Sequence, residues 1–351
     1  MFVTQVMDPT DPVLGFTVGW IRALASRCDR LTVIANEVRR VPDDLEARVV
    51  SLGKEQGAPP WRRFAAYLAH LQRTLVNDRP DALFAHMCPR YLNAAAPLLS
   101  LHGVAGVLWF AHPRDSRALR IAERASALVL TSLPGAFPFS SRKVRIIGQG
   151  IDMAAFCGIY PPVPHDGLDL LALGRLSPVK GLHTIIAAAS KLRADDLPVR
   201  LRIVGPATTS QEEAYAQRLR RLAAETDGWV SIESPVPAPE VPRVLAEADV
   251  LVNGTRAGSG DKVVLEAMAA GRLAVWSNPC FDGLAEGLPM RLRYREGDAT
   301  DLAEVLRGIW KAPVAVRAQT AEELRARVRE GHSLDGWADR VVDVIGKLAV
   351  E

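Results

Sequence analysis

Between Asn253 and Gly271 the chain reads NGTRAGSGDKVVLEAMAAG, a run that joins glycines, an acid, a base and a carboxylate set inside an apolar segment. Gly254, Gly258 and Gly260 loosen the backbone, and VVLEAMAA then resumes at helical spacing, with Asp261 placed to cap the helix start and Gly271 its end. A helix start offers N–H groups with no partner in their own turn. The positive end of the helix dipole lies there too, so an anion can sit at Asp261 to Val264 without a metal ion. Glu266 lies about one turn inside the helix, where a carboxylate costs free energy unless something bonds to it. It reads as a ligand for hydroxyl groups; a pair with Lys262 one turn back is the alternative.

A second group of charges stands at another strand-to-helix corner. In LDLLALGRLSPVKG, Gly174 is followed by Arg175 and, one short loop later, Lys180. A planar fork and a point charge so placed would neutralise a diphosphate from two sides, or else be two solvated surface charges. Gly205 ends the next apolar run, LRIVG. Two histidines, His86 in ALFAH and His112 in GVLWFAH, close apolar runs. A histidine leaving a strand at its C-terminal end enters the region where ligands of parallel sheets bind, and it can donate to a sugar or phosphate oxygen there; a satisfied structural histidine is equally compatible. His112 is the stronger candidate because it begins the polar loop HPRDS.

These residues need a scaffold of short strands and covering helices, and the chain supplies one. Apolar runs at 2–7, 31–35, 49–52, 82–86, 106–112, 127–132, 144–152, 168–174, 201–207, 229–234, 248–252 and 273–278 alternate with helical segments, as in parallel sheets wound on both faces. The loop Asp8 to Phe16 follows the first strand, so Asp8, Gly15 and Phe16 are expected to face a ligand cleft together with His86. Residues 157–167, CGIYPPVPHDG, read as a linker between residues 1–156 and 157–332. The segment 61–76 is an amphipathic helix with Arg62, Arg63 and Arg73 among Trp61, Phe64, Tyr67 and Leu68; it is an ordinary docked helix or a membrane-surface one. Helices at 301–310, 318–329 and 333–349 end the chain, and periodicity alone does not say which half the last one covers.

Composition narrows the class. With 351 residues the chain is long enough for two domains, and 43 basic against 40 acidic residues is too small an excess to argue for a nucleic-acid partner. Cys28, Cys88, Cys157 and Cys280 have neither CxxC pairing nor a histidine spacing, which argues against zinc and against a disulfide framework and fits a cytoplasmic setting. No charged leader with an apolar run and no apolar stretch near ~20 residues is present, so neither a signal peptide nor a membrane span is expected.

GRLSPVKG, LRIVG, EADVLVN and GDKVVLEAMAAG, in this order, resemble the donor domain of the large retaining glycosyltransferase family (group 1, family four) that includes sucrose synthase and bacterial mannosyltransferases. LWFAH, ALVLTS and KVRIIGQGID extend the resemblance into the first half. It implies an α/β GT-B fold: two doubly wound Rossmann-like domains facing across a cleft, with a C-terminal helix, about 333–351, crossing back to the N-terminal domain. It implies further that Arg175 and Lys180 hold the donor diphosphate, that Glu266 binds ribose hydroxyls, and that His112 contacts the transferred sugar. The backbone of Gly258, Ser259, Gly260, Asp261, Lys262, Val263 and Val264 would line the donor. The expected substrate is a nucleoside-diphosphate sugar, UDP- or GDP-linked, with no cofactor and no metal. Its acceptor would be a sugar, a lipid-linked molecule or a small metabolite, and peripheral contact with the inner membrane face is compatible.

At one position the chain departs from the family pattern. Gly258 stands where the first Glu of the Glu-x7-Glu pattern is usual, leaving Asp261 as the only acid of the loop able to stand in. Two other readings remain: a nucleotide-sugar epimerase or phosphorylase of the same shape, and a non-catalytic sugar-nucleotide binding protein.

Overall fold

Runs such as FVTQVM, TVIANEV and LDLLAL are apolar at successive positions, as strands covered by helices on both faces must be, and nearly every residue in them is buried. The structure, a computed structural model, describes residues 1–11, 13–159 and 165–350; part of the expected linker, 160–164, lies outside the described residues. Two compact units form, Met1–Asp152 with Gly331–Glu351, and Met153–Glu330.

In unit 1 the order is β1 (Phe2–Met7), α1 (Thr17–Ala25), β2 (Thr32–Val38), β3 (Arg48–Ser51), α2 (Pro60–Asn77), β4 (Ala82–His86), α3 (Pro89–His102), β5 (Ala105–Trp109), α4 (Arg117–Ala125), β6 (Leu128–Thr131) and β7 (Val144–Ile146). The strands are parallel and lie in the order β3-β2-β1-β4-β5-β6-β7, so the winding reverses between β1 and β4. Helices α3 and α4 were not read from the sequence. Between them the strand ends at Trp109 rather than continuing to His112.

Unit 2 holds β8 (Leu168–Leu173), α5 (Leu182–Ala194), β9 (Val199–Val204), α6 (Ser210–Ala224), β10 (Val230–Glu233), α7 (Val241–Ala246), β11 (Val250–Asn253), α8 (Lys262–Ala269), β12 (Leu273–Trp276), α9 (Ala299–Lys311) and most of α10 (Val314–His332). Its parallel sheet runs β10-β9-β8-β11-β12, reversing between β8 and β11.

Helix α11 (Leu334–Val350) belongs to unit 1 and packs on α1. Its Trp337 is fully buried, 4.1 Å from the Trp20 ring and 5.8 Å from that of Trp109, while Trp20 and Trp109 meet edge to face at 4.9 Å. Burial of rings this size supplies a large share of a core's apolar contact. At the rim Arg27 forks to Asp335 at 3.0 Å and Asp339 at 2.6 Å. The chain enters α11 through a bridge between Ile151 and Ser333.

Candidate functional site

At the C-terminal ends of β8, β9 and β11 the backbones come so close that only glycine fits. Gly205 has φ +154°, and a Cβ there would lie 1.9 Å from the carbonyl oxygen of Gly174; one on Gly254 would lie 2.6 Å from that of Lys180. This contact draws the loops after β8 and β11 together at the point where the winding reverses, the place where open parallel sheets bind ligands.

Lys180 and Asp261 form an ion pair in this corner. The Asp261 carboxylate also accepts from Asn253 Nδ2 at 2.7 Å and Thr255 Oγ1 at 2.7 Å. Burial pushes its pKa up, but the charge of Lys180 and the bonds from Lys180, Thr255 and Asn253 outweigh this and hold it below the usual carboxylate range. Asp261 therefore does not cap α8 through its side chain, contrary to expectation, because three donors engage it outside the helix. Ala270 occupies the C-cap, with Gly271 just beyond at φ +66°.

Arg175, about half exposed, donates to Glu212 Oε1 at 2.9 Å, while the other Glu212 oxygen accepts from Thr208 N at 2.8 Å and Thr208 Oγ1 at 2.6 Å. Glu266 is paired with Lys262 one helical turn back, the alternative that its spacing allowed. Val263 and Val264 have buried side chains, so only their backbone can meet a ligand. The loop carrying Gly258, Ser259 and Gly260 is tied down by Asn278, whose Nδ2 donates to the Ser259 carbonyl at 2.6 Å and whose Oδ1 accepts from Gly258 N at 3.4 Å. Asn253, Thr255, Asn278 and Glu212 received no role from sequence reasoning. Asn253 and Thr255 lie inside the glycine-rich stretch 253–271, but nothing local marks Asn278 or Glu212, which reach the site from 19 residues beyond Ser259 and 37 beyond Arg175.

In unit 1 the expected ligand contacts fare differently. His86 is 2% exposed, packed between the rings of Phe2, Phe16 and Trp20 and bonded to Thr4 Oγ1 at 3.1 Å; burial pushes its pKa down to about 3. The expectation that it faces a ligand is thus corrected: its strand ends inside the core. Phe16 turns inward onto Trp20 and His86. Asp8 is buried and folds its own loop, accepting from Thr10 N at 2.9 Å and Thr10 Oγ1 at 2.7 Å, while Gly15 fits against the carbonyls of Pro9 and Asp11. All three of these loop positions therefore serve loop structure. His112 lies exposed beyond β5, its Nδ1 accepting from Arg114 N at 3.0 Å.

Two features lie away from these ends. A mainly apolar cavity of about 130 Å³ between Leu168, Val250, Leu273, Ile309 and Ala321 opens at the opposite ends of the unit 2 strands. Beside it, His165, Asp169 and Asp249 bring ligand atoms within 4.8 Å of one another. Their acids are already bonded, Asp169 to Arg200 at 2.6 Å and Asp249 to the Asp169 N–H at 2.8 Å.

A sequence profile described as "Glycosyl transferases group 1" matches residues 167–311. D-inositol 3-phosphate glycosyltransferase 1 of Catenulispora acidiphila is 27% identical over 71% of this chain and 60% of its own length. The colanic acid biosynthesis glycosyltransferase WcaL of Salmonella typhimurium, itself so described putatively in name, is 28% identical over 55% and 43%. The chain thus spans about half the length of these curated relatives. Among solved structures, Anabaena HepE in complex with UDP and glucose superposes with a TM-score of 0.76 at 17% identity, covering 98% of this chain and 99% of that one. Sucrose-phosphate synthase from Thermosynechococcus elongatus gives 0.79 at 16%, covering 99% of both. Residues 167–311 thus resemble the group 1 glycosyl transferases, and the whole chain has the GT-B fold.

Proposed function

We propose that the protein moves a sugar from a nucleoside-diphosphate sugar to an acceptor hydroxyl, with retention of anomeric configuration and without a metal ion. The observation that carries this reading is the glycine-tight corner of unit 2, where Lys180, Arg175 and the start of α8 converge at the β8/β11 reversal. As the bond from sugar C1 to the diphosphate oxygen stretches, negative charge grows on the leaving phosphate. Pre-placed Lys180, Arg175 and the N–H groups of α8 stabilise that charge most at that moment. The acceptor oxygen bonds to C1, and its proton passes to the departing phosphate. UDP is the favoured nucleotide, because structural neighbours hold UDP and UDP-glucose.

Asp261 acts here as the counter-ion that sets Lys180 in place before the donor arrives. A diphosphate would share that ammonium, while Asn253 and Thr255 continue to hold the carboxylate. Glu266 reaches the ribose by releasing or sharing Lys262. The acceptor is a sugar, a lipid-linked molecule or a small metabolite, and helix α2, which carries arginines and no acidic residue, suits a peripheral site on an anionic membrane in the cytoplasm.

A thermal-shift panel of UDP, GDP, ADP, TDP and CDP tests the reading. One nucleotide at ~100 times its dissociation constant should stabilise the fold by about 2.7 kcal/mol, and the shift should shrink in Glu266→Ala. The absence of any shift across the panel would refute the donor site and favour decay to a non-catalytic protein.

A further inference from the structure

Arg63 occupies an unusual position for an arginine of unit 1. Its neighbours of the same type are either exposed or bound: Arg22 pairs with Asp44, Arg27 with Asp335 and Asp339, Arg39 with Glu37, and Arg120 with Asp115. Arg340, also partly buried, spends its fork on the carbonyls of Ile147 and Gly331. Arg63 is partly buried, yet among the described residues it meets no carboxylate. One nitrogen, Nη1, donates to Asn36 Oδ1 at 2.7 Å, and its buried Nε has no acceptor. A guanidinium has five donors, and withholding acceptors from a partly desolvated one is costly unless something else supplies them.

The surroundings are built to aim it. Asn36, 6% exposed near the end of β2, accepts from Tyr91 Oη at 3.0 Å as well as from Arg63, and its own Nδ2 donates to Gln5 Oε1 at 3.3 Å. Gln5 on β1 in turn donates to Cys88 Sγ at 3.2 Å, just past the end of β4. The network therefore bridges β1, β2 and β4 at the point where the unit 1 sheet reverses its winding, the crevice position of an open parallel sheet. Every member except Arg63 is neutral.

We propose that Arg63, held by Asn36 and Tyr91, is an oxyanion-recognition site, and that the acceptor carries a phosphate or carboxylate beside the hydroxyl that receives the sugar. The assignment rests on the transferase reading and deepens it by giving the acceptor a charge. Arg63 offers the anion the Nη donors that Asn36 leaves over, and Asn36 and Tyr91 set the plane of the fork.

Two measurements test it with Arg63→Met, which keeps the apolar stem, and Arg63→Lys, which keeps the charge. First, at constant ionic strength and with saturating nucleoside diphosphate filling the unit 2 site, inorganic phosphate is titrated while the melting temperature is followed. The wild type should rise, Arg63→Met should stay flat, and Arg63→Lys should respond partly; equal responses in wild type and Arg63→Met overturn the proposal. Second, transfer to a hexose, a hexose phosphate and a hexuronate is compared, with donor hydrolysis by water as reference. One anionic acceptor should be preferred at least tenfold over the neutral hexose. Arg63→Met should erase that preference through KM, with kcat and donor hydrolysis unchanged, and the preferred anion separates phosphate from carboxylate. An equal loss on neutral and anionic acceptors would mark Arg63 as merely structural and overturn the proposal. If no nucleotide binds at all, the transferase reading fails, while the difference in phosphate response between wild type and Arg63→Met still decides the role of Arg63.

Discussion

Lys180 and Asp261 illustrate how a residue's partner changes its role. A lysine alone at a loop corner is a mobile point charge, but one held by a carboxylate that Asn253 and Thr255 also grip has a fixed direction. Lys180→Ala should therefore lower kcat by about 10²–10³-fold, on the order of 3–4 kcal/mol, with the fold intact; steady-state kinetics beside a melting curve check this. Asp261→Asn, whose amide oxygen can still accept from Lys180, Asn253 and Thr255 but carries no charge, should lose less than Asp261→Ala, and equal losses would exclude a positioning role. A different prediction concerns protons. Burial holds His86 down to about 3, and burial with the nearby Arg340 holds His332 down to about 4. Both are depressed below their unfolded value of about 6.5, so their contribution to stability is complete above that pH and is lost as pH falls toward 4. Each then removes about 1.4 kcal/mol per pH unit. Urea midpoints between pH 7 and 5 should fall accordingly, and His86→Gln should halve the slope; an unchanged slope would mean that His86 carries a proton in the folded protein.

At the scale of elements, the contact between the β8 and β9 ends admits no side chain. Gly205→Ala would drive a methyl into the Gly174 carbonyl at a φ that L-residues avoid, so a loss of roughly 3 kcal/mol or more is expected, together with loss of any nucleotide-induced shift. A wild-type melting temperature would show that the corner can open. Strands and most helices were legible because their apolar runs have the length and period of buried strands and amphipathic helices. Helices α3 and α4 were not, and α3 contains Pro97, which breaks the local signal. The site's geometry was legible where partners are local, as with the Lys262–Glu266 pair that spacing within α8 offered as the alternative reading. It was illegible where partners arrive from distant strands: a carboxylate such as Glu212 shows its purpose only once α6 sets it against Arg175. His86 misled for the same reason, since a histidine at a strand end reads identically whether the next turn opens outward or, as here, lies under Phe16 and Trp20.

Across the molecule, the two units are built on the same winding, yet they differ in chain economy. Unit 2 is one continuous segment, Met153 to Glu330, whereas unit 1 needs Gly331 onward to complete it. Trp337→Ala, which empties the space between Trp20, Phe84 and Trp109, should cost about 3–5 kcal/mol, read as an early melting transition and an altered tryptophan fluorescence spectrum. The same arrangement has a consequence for synthesis. As the polypeptide emerges from a ribosome, residues 1–152 come out first but present an open indole-lined face until α11 follows nearly two hundred residues later, while unit 2 has everything it needs as soon as Glu330 is clear. At the usual ~5–20 residues per second that is a wait on the order of ten seconds or more, during which the exposed face invites chaperones. Of the two units, the one that emerges earlier is thus the one that finishes later.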